Sequence, residues 1–130
     1  MIPGRVRVPA PTVWKIQLPW PRPPLALAIP VRGLALASLQ RRARQTVRAV
    51  AEHGGLPRGL SRVRVVLHWE TVLPTDQLDL TETLKTAVDA LVGYGLVPRD
   101  DSRHVSADWQ VQQGRRNTCW LVVTDLHPAG

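Results

Sequence analysis

Phenylalanine is absent from this chain of 130 residues, and cysteine and methionine occur once each. With Cys119 alone no intrachain disulfide can form, and a reducing compartment is the default setting. Lysine is scarce too: Lys15 and Lys85 stand among arginines that supply the rest of the 17 basic residues. His68 and His104 lack the partner spacing of zinc ligands. No segment approaches the roughly 20 consecutive apolar residues of a membrane span. The stretch Leu25 to Ile29, with Arg5 and Arg7 before it, resembles the start of a signal peptide, but Pro30 and Arg32 break it. The expectation is a cytoplasmic protein with no membrane partner.

What is present is positive charge, a formal +7 from 17 basic against 10 acidic residues. A basic exterior attracts polyanions by long-range field and counterion release, and arginine suits bidentate phosphate contacts. GC-rich codon usage is the alternative source of the arginines, and it also fits the missing phenylalanine. Against this background six of the ten carboxylates fall between Asp76 and Asp101 (Asp76, Asp79, Glu82, Asp89, Asp100 and Asp101), with only Lys85 and Arg99 as bases. Two carboxylates about 4 Å apart at an effective dielectric near 20 repel by roughly 4 kcal/mol. Such a cluster calls for a divalent cation, or for side chains that splay into water.

The length suits one domain with a real core. Residues 1–11 read as a flexible basic N-terminal tail and 12–127 as the domain. Thr12 to Leu18 alternates as a first strand. Pro19-Trp20-Pro21-Arg22-Pro23-Pro24 lacks the N–H groups to continue a ladder or a helix and is an extended connector. Leu36, Leu39, Ala43, Val47 and Val50 recur at helical spacing, with Arg41, Arg44 and Arg48 as a stripe on another face, and the helix ends near Gly54-Gly55. Ser61 to Glu70 alternates and is rich in β-branched residues. Leu84, Val88 and Leu91 mark a second helix over Thr81 to Gly93, closed by Gly93 and Gly95. Val105 to Val111 and Thr118 to Asp125 read as two strands joined by a turn around Gly114-Arg115-Arg116-Asn117. The predicted class is α+β, a β-α-β-α-β-β mixed sheet with two main helices on one face.

Asp76-Gln77-Leu78-Asp79-Leu80-Thr81-Glu82-Thr83-Leu84-Lys85, then Asp89-Ala90-Leu91, Gly95-Leu96-Val97-Pro98 and Asp100-Asp101, resembles the acidic motif of the RusA family of Holliday junction resolvases. Leu18-Pro19-Trp20-Pro21 matches the Leu-Pro-Trp-Pro-like segment of that family, and the similarity spans most of Val13 to Val123. The family motif reads Asp-x-Asp-Asn-Leu, a lysine, and an Asp-Asp after the glycine that ends the helix. Asp76 falls on the first aspartate and Lys85 on the lysine. Leu78 occupies the place of the second aspartate, and Asp79 that of the asparagine, one residue late. An ungapped count from Gly95 puts Asp100 on the late aspartate, and one inserted residue would choose Asp101.

The resemblance implies a Mg²⁺-dependent endonuclease that acts as a homodimer on four-way DNA junctions. Asp76, Lys85 and Asp100 are then the catalytic set, and the metal ligands come from Asp76, Asp79, Asp100 and Asp101. Hard oxygen ligands suit Mg²⁺, which shares its remaining sites with water and substrate phosphate. Arg41, Arg44, Arg48, Arg115 and Arg116 are candidate DNA contacts. The departure at Leu78 leaves a second reading open, a catalytically impaired relative that binds branched or duplex DNA without cutting it.

A helix over Thr81 to Gly93 is about 20 Å long. The six residues from Gly95 to Asp100 can cover roughly that distance if extended, so Asp100 can return alongside the helix, or a partner subunit can supply it. Plainer readings stand beside these. Asp79 and Glu82 fit a capping box, Lys85 and Asp89 a surface i, i+4 pair, Asp100-Asp101 a solvated loop, and each arginine a solvated face. Trp14, Trp69, Trp109 and Trp120 fall on predicted strands and read as core, whereas Trp20 suits a dimer interface.

Overall fold

Six elements alternate along the chain as β1 (Val13–Leu18), α1 (Gly33–His53), β2 (Val63–Thr71), α2 (Thr81–Tyr94), β3 (Val105–Gln113) and β4 (Thr118–Asp125). They belong to a computed structural model that describes residues 12–25, 33–74 and 78–127. The expected basic tail and Asp76 lie outside the described residues. The α+β class and the mixed four-stranded sheet with two helices match the expectation from hydrophobic periodicity.

Helix α1 buries Ala43, Val47 and Ala51 at i, i+4 and i+8, one stripe of a 3.6-residue repeat. In α2, Leu84, Ala87, Val88, Ala90 and Leu91 are buried, and a fully buried leucine such as Leu91 stabilises by about 1.5–3 kcal/mol. Gly95, not Gly93, ends this helix. Its φ of 103° is a left-handed conformation that glycine adopts without a steric penalty, and its N–H donates to the carbonyls of Leu91 and Val92.

The strand order is β1-β4-β2-β3, with β2 and β3 parallel and the other pairs antiparallel. The parallel pair is a βαβ unit whose crossover is α2. Although a short turn joins β3 to β4, these strands do not pair, because β2 lies between them. The connection passes over the end of β2, where Gly114 donates its N–H to the carbonyl of Thr71 (2.9 Å). A Cβ on Gly114 would sit 2.6 Å from Cγ and Cδ of Glu70, so a larger residue at the crossing would have to push that side chain aside. The side-chain oxygen of Asn117 accepts from Oγ1 of Thr71 (3.0 Å) and from the N–H of Val72 (3.2 Å), which clamps the crossing down.

Both helices cover one sheet face. Val63, Val65, Leu67 and Trp69 of β2 and Cys119, Leu121 and Val123 of β4 join the helix residues in one apolar core. The indole N–H of Trp69 donates to the carbonyl of Pro21 (3.1 Å), tying the proline-rich connector to the sheet. Trp14, Trp20 and Trp109 are half-buried against the core. Trp120 departs from the expectation of a core residue. Residues alternate across β4, so Trp120 points to the opposite face from Cys119 and Leu121. Among the described residues no helix is long and apolar enough to cross a membrane.

Candidate functional site

Leu96 and Val97 are buried and anchor the segment that follows α2. It is further fixed to the loop after α1 by amides of Gly59 and Leu60 that donate to the carbonyls of Gly95 and Leu96 (2.8 Å each). The chain reverses at Gly95, with Asp89 six residues before it and Asp100 five after. The reversal brings the two carboxyls near enough for Asp89 to raise the proton affinity of Asp100, after the larger effect of burial. Asp100 therefore reaches back along the C-terminal part of its own helix as far as Asp89.

The carboxyl of Asp100 is pushed above the usual carboxylate range. Loss of hydration beside α2 is the first cause, followed by the contact with Asp89 and the charges of Asp89 and Asp101, while Lys85 pulls the other way. Lys85 and Asp89 thus do more than pair along a helix face. Among the described residues they form no ion pair within 4 Å, and both act on Asp100. The sequence places Asp89 in the Asp-Ala-Leu part of the motif and beside Lys85, and does not assign it to the metal or catalytic set. The sequence signal that identifies it is its near-equal spacing with Asp100 about Gly95.

The two late aspartates have different surroundings. Oδ1 of Asp101 accepts the N–H of Arg103 (3.0 Å), its carbonyl accepts the N–H groups of His104 and Val105, and His104 Nε2 lies 3.9 Å away. Asp101 shapes the turn into β3, while Asp100 faces the helix. Asp79 is likewise engaged locally. It accepts from the N–H (2.9 Å) and hydroxyl (2.6 Å) of Thr81, and the hydroxyl contact is the first cause of its lowered pKa. The expected capping box does not form, since Leu80 is the N-cap and no side chain caps the helix. Asp79 precedes Asp89 by ten residues, about 15 Å of helical rise, and it is not among the charges acting on Asp100.

The expected set of Asp76, Asp79, Asp100 and Asp101 is therefore not gathered at one point by the residues described. Asp76 lies outside them, and among them no three His, Cys, Asp or Glu side chains converge to hold a metal ion. The donor pair that does form is Asp89 with Asp100. Two neighbouring carboxyls, with that of Asp100 raised in proton affinity first by burial and then by Asp89, suit a hard divalent cation that takes one or two carboxylates and fills its remaining positions with water and phosphate.

The arginines divide between the two sides of the sheet. Arg41 and Arg48 are exposed and Arg44 half-buried on α1, in the helix layer. Arg115 and Arg116 are exposed in the β3–β4 connection and line a cleft of about 460 Å³ with Lys15, Gln17, Glu70 and Trp120. No protein-family profile matches this chain, and no curated protein matches it.

Proposed function

We propose that this chain is a Mg²⁺-dependent, structure-selective DNA endonuclease that resolves Holliday junctions by paired phosphodiester hydrolysis. The observation that carries the reading is the Asp89–Asp100 carboxyl pair with Lys85 one helical turn away, inside a chain of net charge +7. The similarity of Asp76 to Asp101 to the RusA motif supplies the substrate class.

In this reading Asp100 and Asp89, joined by Asp76, hold the cation against the DNA backbone. A cation held by these carboxylates would supply an activated water and charge stabilisation at the attacked and leaving oxygens. Lys85 directs its ammonium to the scissile phosphate or the leaving oxygen, where negative charge grows. The arginines orient the duplex arms through phosphates, a salt-dependent attraction. A two-fold homodimer matches the near two-fold symmetry of a four-way junction and places one cutting centre on each of two strands.

The test is cleavage of a synthetic four-way junction with and without Mg²⁺. Asp76→Asn and Asp100→Asn are expected to abolish cutting while junction binding persists. Full cutting by either variant removes that residue from the centre. Sedimentation of the free protein tests the dimer.

A second reading is favoured by Leu78 at the second aspartate's place and by the absence, among the described residues, of a three-ligand group. Here the chain binds branched or duplex DNA without cutting it, and Leu78→Asp confers Mg²⁺-dependent cleavage. Cutting by the wild type at ordinary Mg²⁺ concentrations rejects it.

A further inference from the structure

The helices occupy one sheet face, and among the described residues nothing packs over the other. On this open face β1, β4 and β2 set Gln17, Trp120 and His68 side by side, since Gln17 pairs with Trp120 and Trp120 with His68. The indole of Trp120 and the imidazole of His68 stack with centroids 5.1 Å apart and planes 2° from parallel. Lys15 holds its ammonium 4.8 Å from the centroid of the same indole. The cleft beside them adds Arg115 and Arg116, so three cations face the single carboxylate of Glu70.

The chemistry of this face selects its occupant. A second copy of the chain would need a broad apolar patch, whereas here Val66 and Val122 lie among Lys15, Arg64, Glu70 and Asp108. Duplex DNA offers phosphates but keeps its bases stacked on one another. Unpaired DNA offers both a free aromatic face and adjacent phosphates, the two features that single-strand binding surfaces recognise. Burial, and then the charge of Lys15, lower the pKa of His68, so the ring stacked on Trp120 is uncharged at neutral pH.

The geometry points to a platform for unpaired DNA on the open sheet face, where a nucleobase takes the place of the Lys15 ammonium over Trp120, on the side away from His68, and Arg115, Arg116 and the displaced Lys15 take the neighbouring phosphates. This rests on the DNA reading above and extends it to a strand segment bound on the side of the sheet away from α2, Asp89 and Asp100. Trp120 stands on an inner strand, so the aromatic pair is held by the sheet and not by a loop.

The experiment measures binding of a fluorescent oligothymidylate, and of a duplex of equal length, to the full chain in EDTA across a salt series. Trp120→Ala is expected to weaken oligothymidylate binding about tenfold or more with the salt slope unchanged, because stacking is not an ionic contact. Trp120→Phe keeps a stacking ring and stays within about threefold of wild type. The Arg115→Ala, Arg116→Ala double variant lowers the salt slope by about 1.4, twice the roughly 0.7 for each single-strand phosphate.

Wild-type affinity in a folded Trp120→Ala at every salt overturns the platform alone when duplex or junction is still bound. A wild type that binds no DNA overturns the platform and the nuclease reading together. If Trp120→Ala does not fold, photocrosslinking of 5-iodouracil DNA to the wild type decides. Crosslinks at Trp120 or His68 support the platform, and crosslinks only elsewhere reject it.

Discussion

The carboxyl of Asp100 lies near that of Asp89, eleven residues earlier on α2, and burial, then this neighbour, raises the proton affinity of Asp100. Such a pair is held together by covalent connectivity and the buried anchors Leu96 and Val97, against its own electrostatics. Removing one of the charges tests whether the repulsion is real and whether a cation relieves it.

Asp100→Asn is expected to stabilise the protein at neutral pH. A raised pKa means that the folded carboxyl outcompetes the unfolded one for protons. The native state is therefore favoured at low pH and loses that advantage as pH rises from the ordinary value of 3.8 through the folded one. Because Asp100 is exposed, solvent screening limits the gain to about 0.5 kcal/mol or less. Thermal melts at pH 7 check this, and a lower melting temperature for the variant contradicts it.

Magnesium at ten times its dissociation constant is expected to stabilise the wild type by about 1.4 kcal/mol. EDTA removes the effect, and Asp100→Asn abolishes it. An equal magnesium-dependent shift in wild type and variant would move the cation elsewhere.

His68 has a lowered pKa, from burial first and Lys15 second. Its folded form resists protonation, so its neutral state costs nothing above the unfolded value of 6.5, and stability falls as pH drops through that value toward the folded one. In His68→Phe, which keeps an aromatic ring beside Trp120, urea midpoints at pH 5 and pH 7.5 are expected to differ less than in wild type. An unchanged difference assigns the acid sensitivity to other groups.

Cys119 is fully buried, and burial pushes its thiol up to about 12. Native protein at pH 8 is expected to resist thiol reagents and to react promptly once unfolded in guanidinium, since the thiolate is the nucleophile. Rapid stoichiometric labelling under native conditions would show that β4 opens readily.

Gly114→Ala is expected to cost about 1 kcal/mol, because the new Cβ meets the Glu70 side chain. With Glu70→Ala in the background the same change should turn neutral or slightly stabilising, through reduced freedom of the unfolded chain. A double-mutant cycle in urea reads the coupling. Strict additivity would mean that the crossing has room to spare.

Most of the architecture was legible because local periodicity encodes it. The alternation over β2 and the 3.6-residue stripe of α1 fixed type and extent to within a few residues. Pairing was less legible. A four-residue turn between β3 and β4 suits a hairpin, and only burial across the whole sheet places β2 between them. The site divides along the same line. Lys85 and Asp100 stood out from motif spacing, whereas Asp89 became a partner only through the reversal at Gly95. Trp120 was misassigned to the core although the parity of Thr118 to Asp125 already separates it from Cys119 and Leu121.

The strand order also makes β1 the dependent of a remote stretch of chain. Among the described residues its sole hydrogen-bonded neighbour is β4, roughly a hundred positions away. A shortened chain stopping at Gly114 would keep the β2-α2-β3 unit but strand its first segment as a sticky edge, apt to recruit the same segment from another molecule.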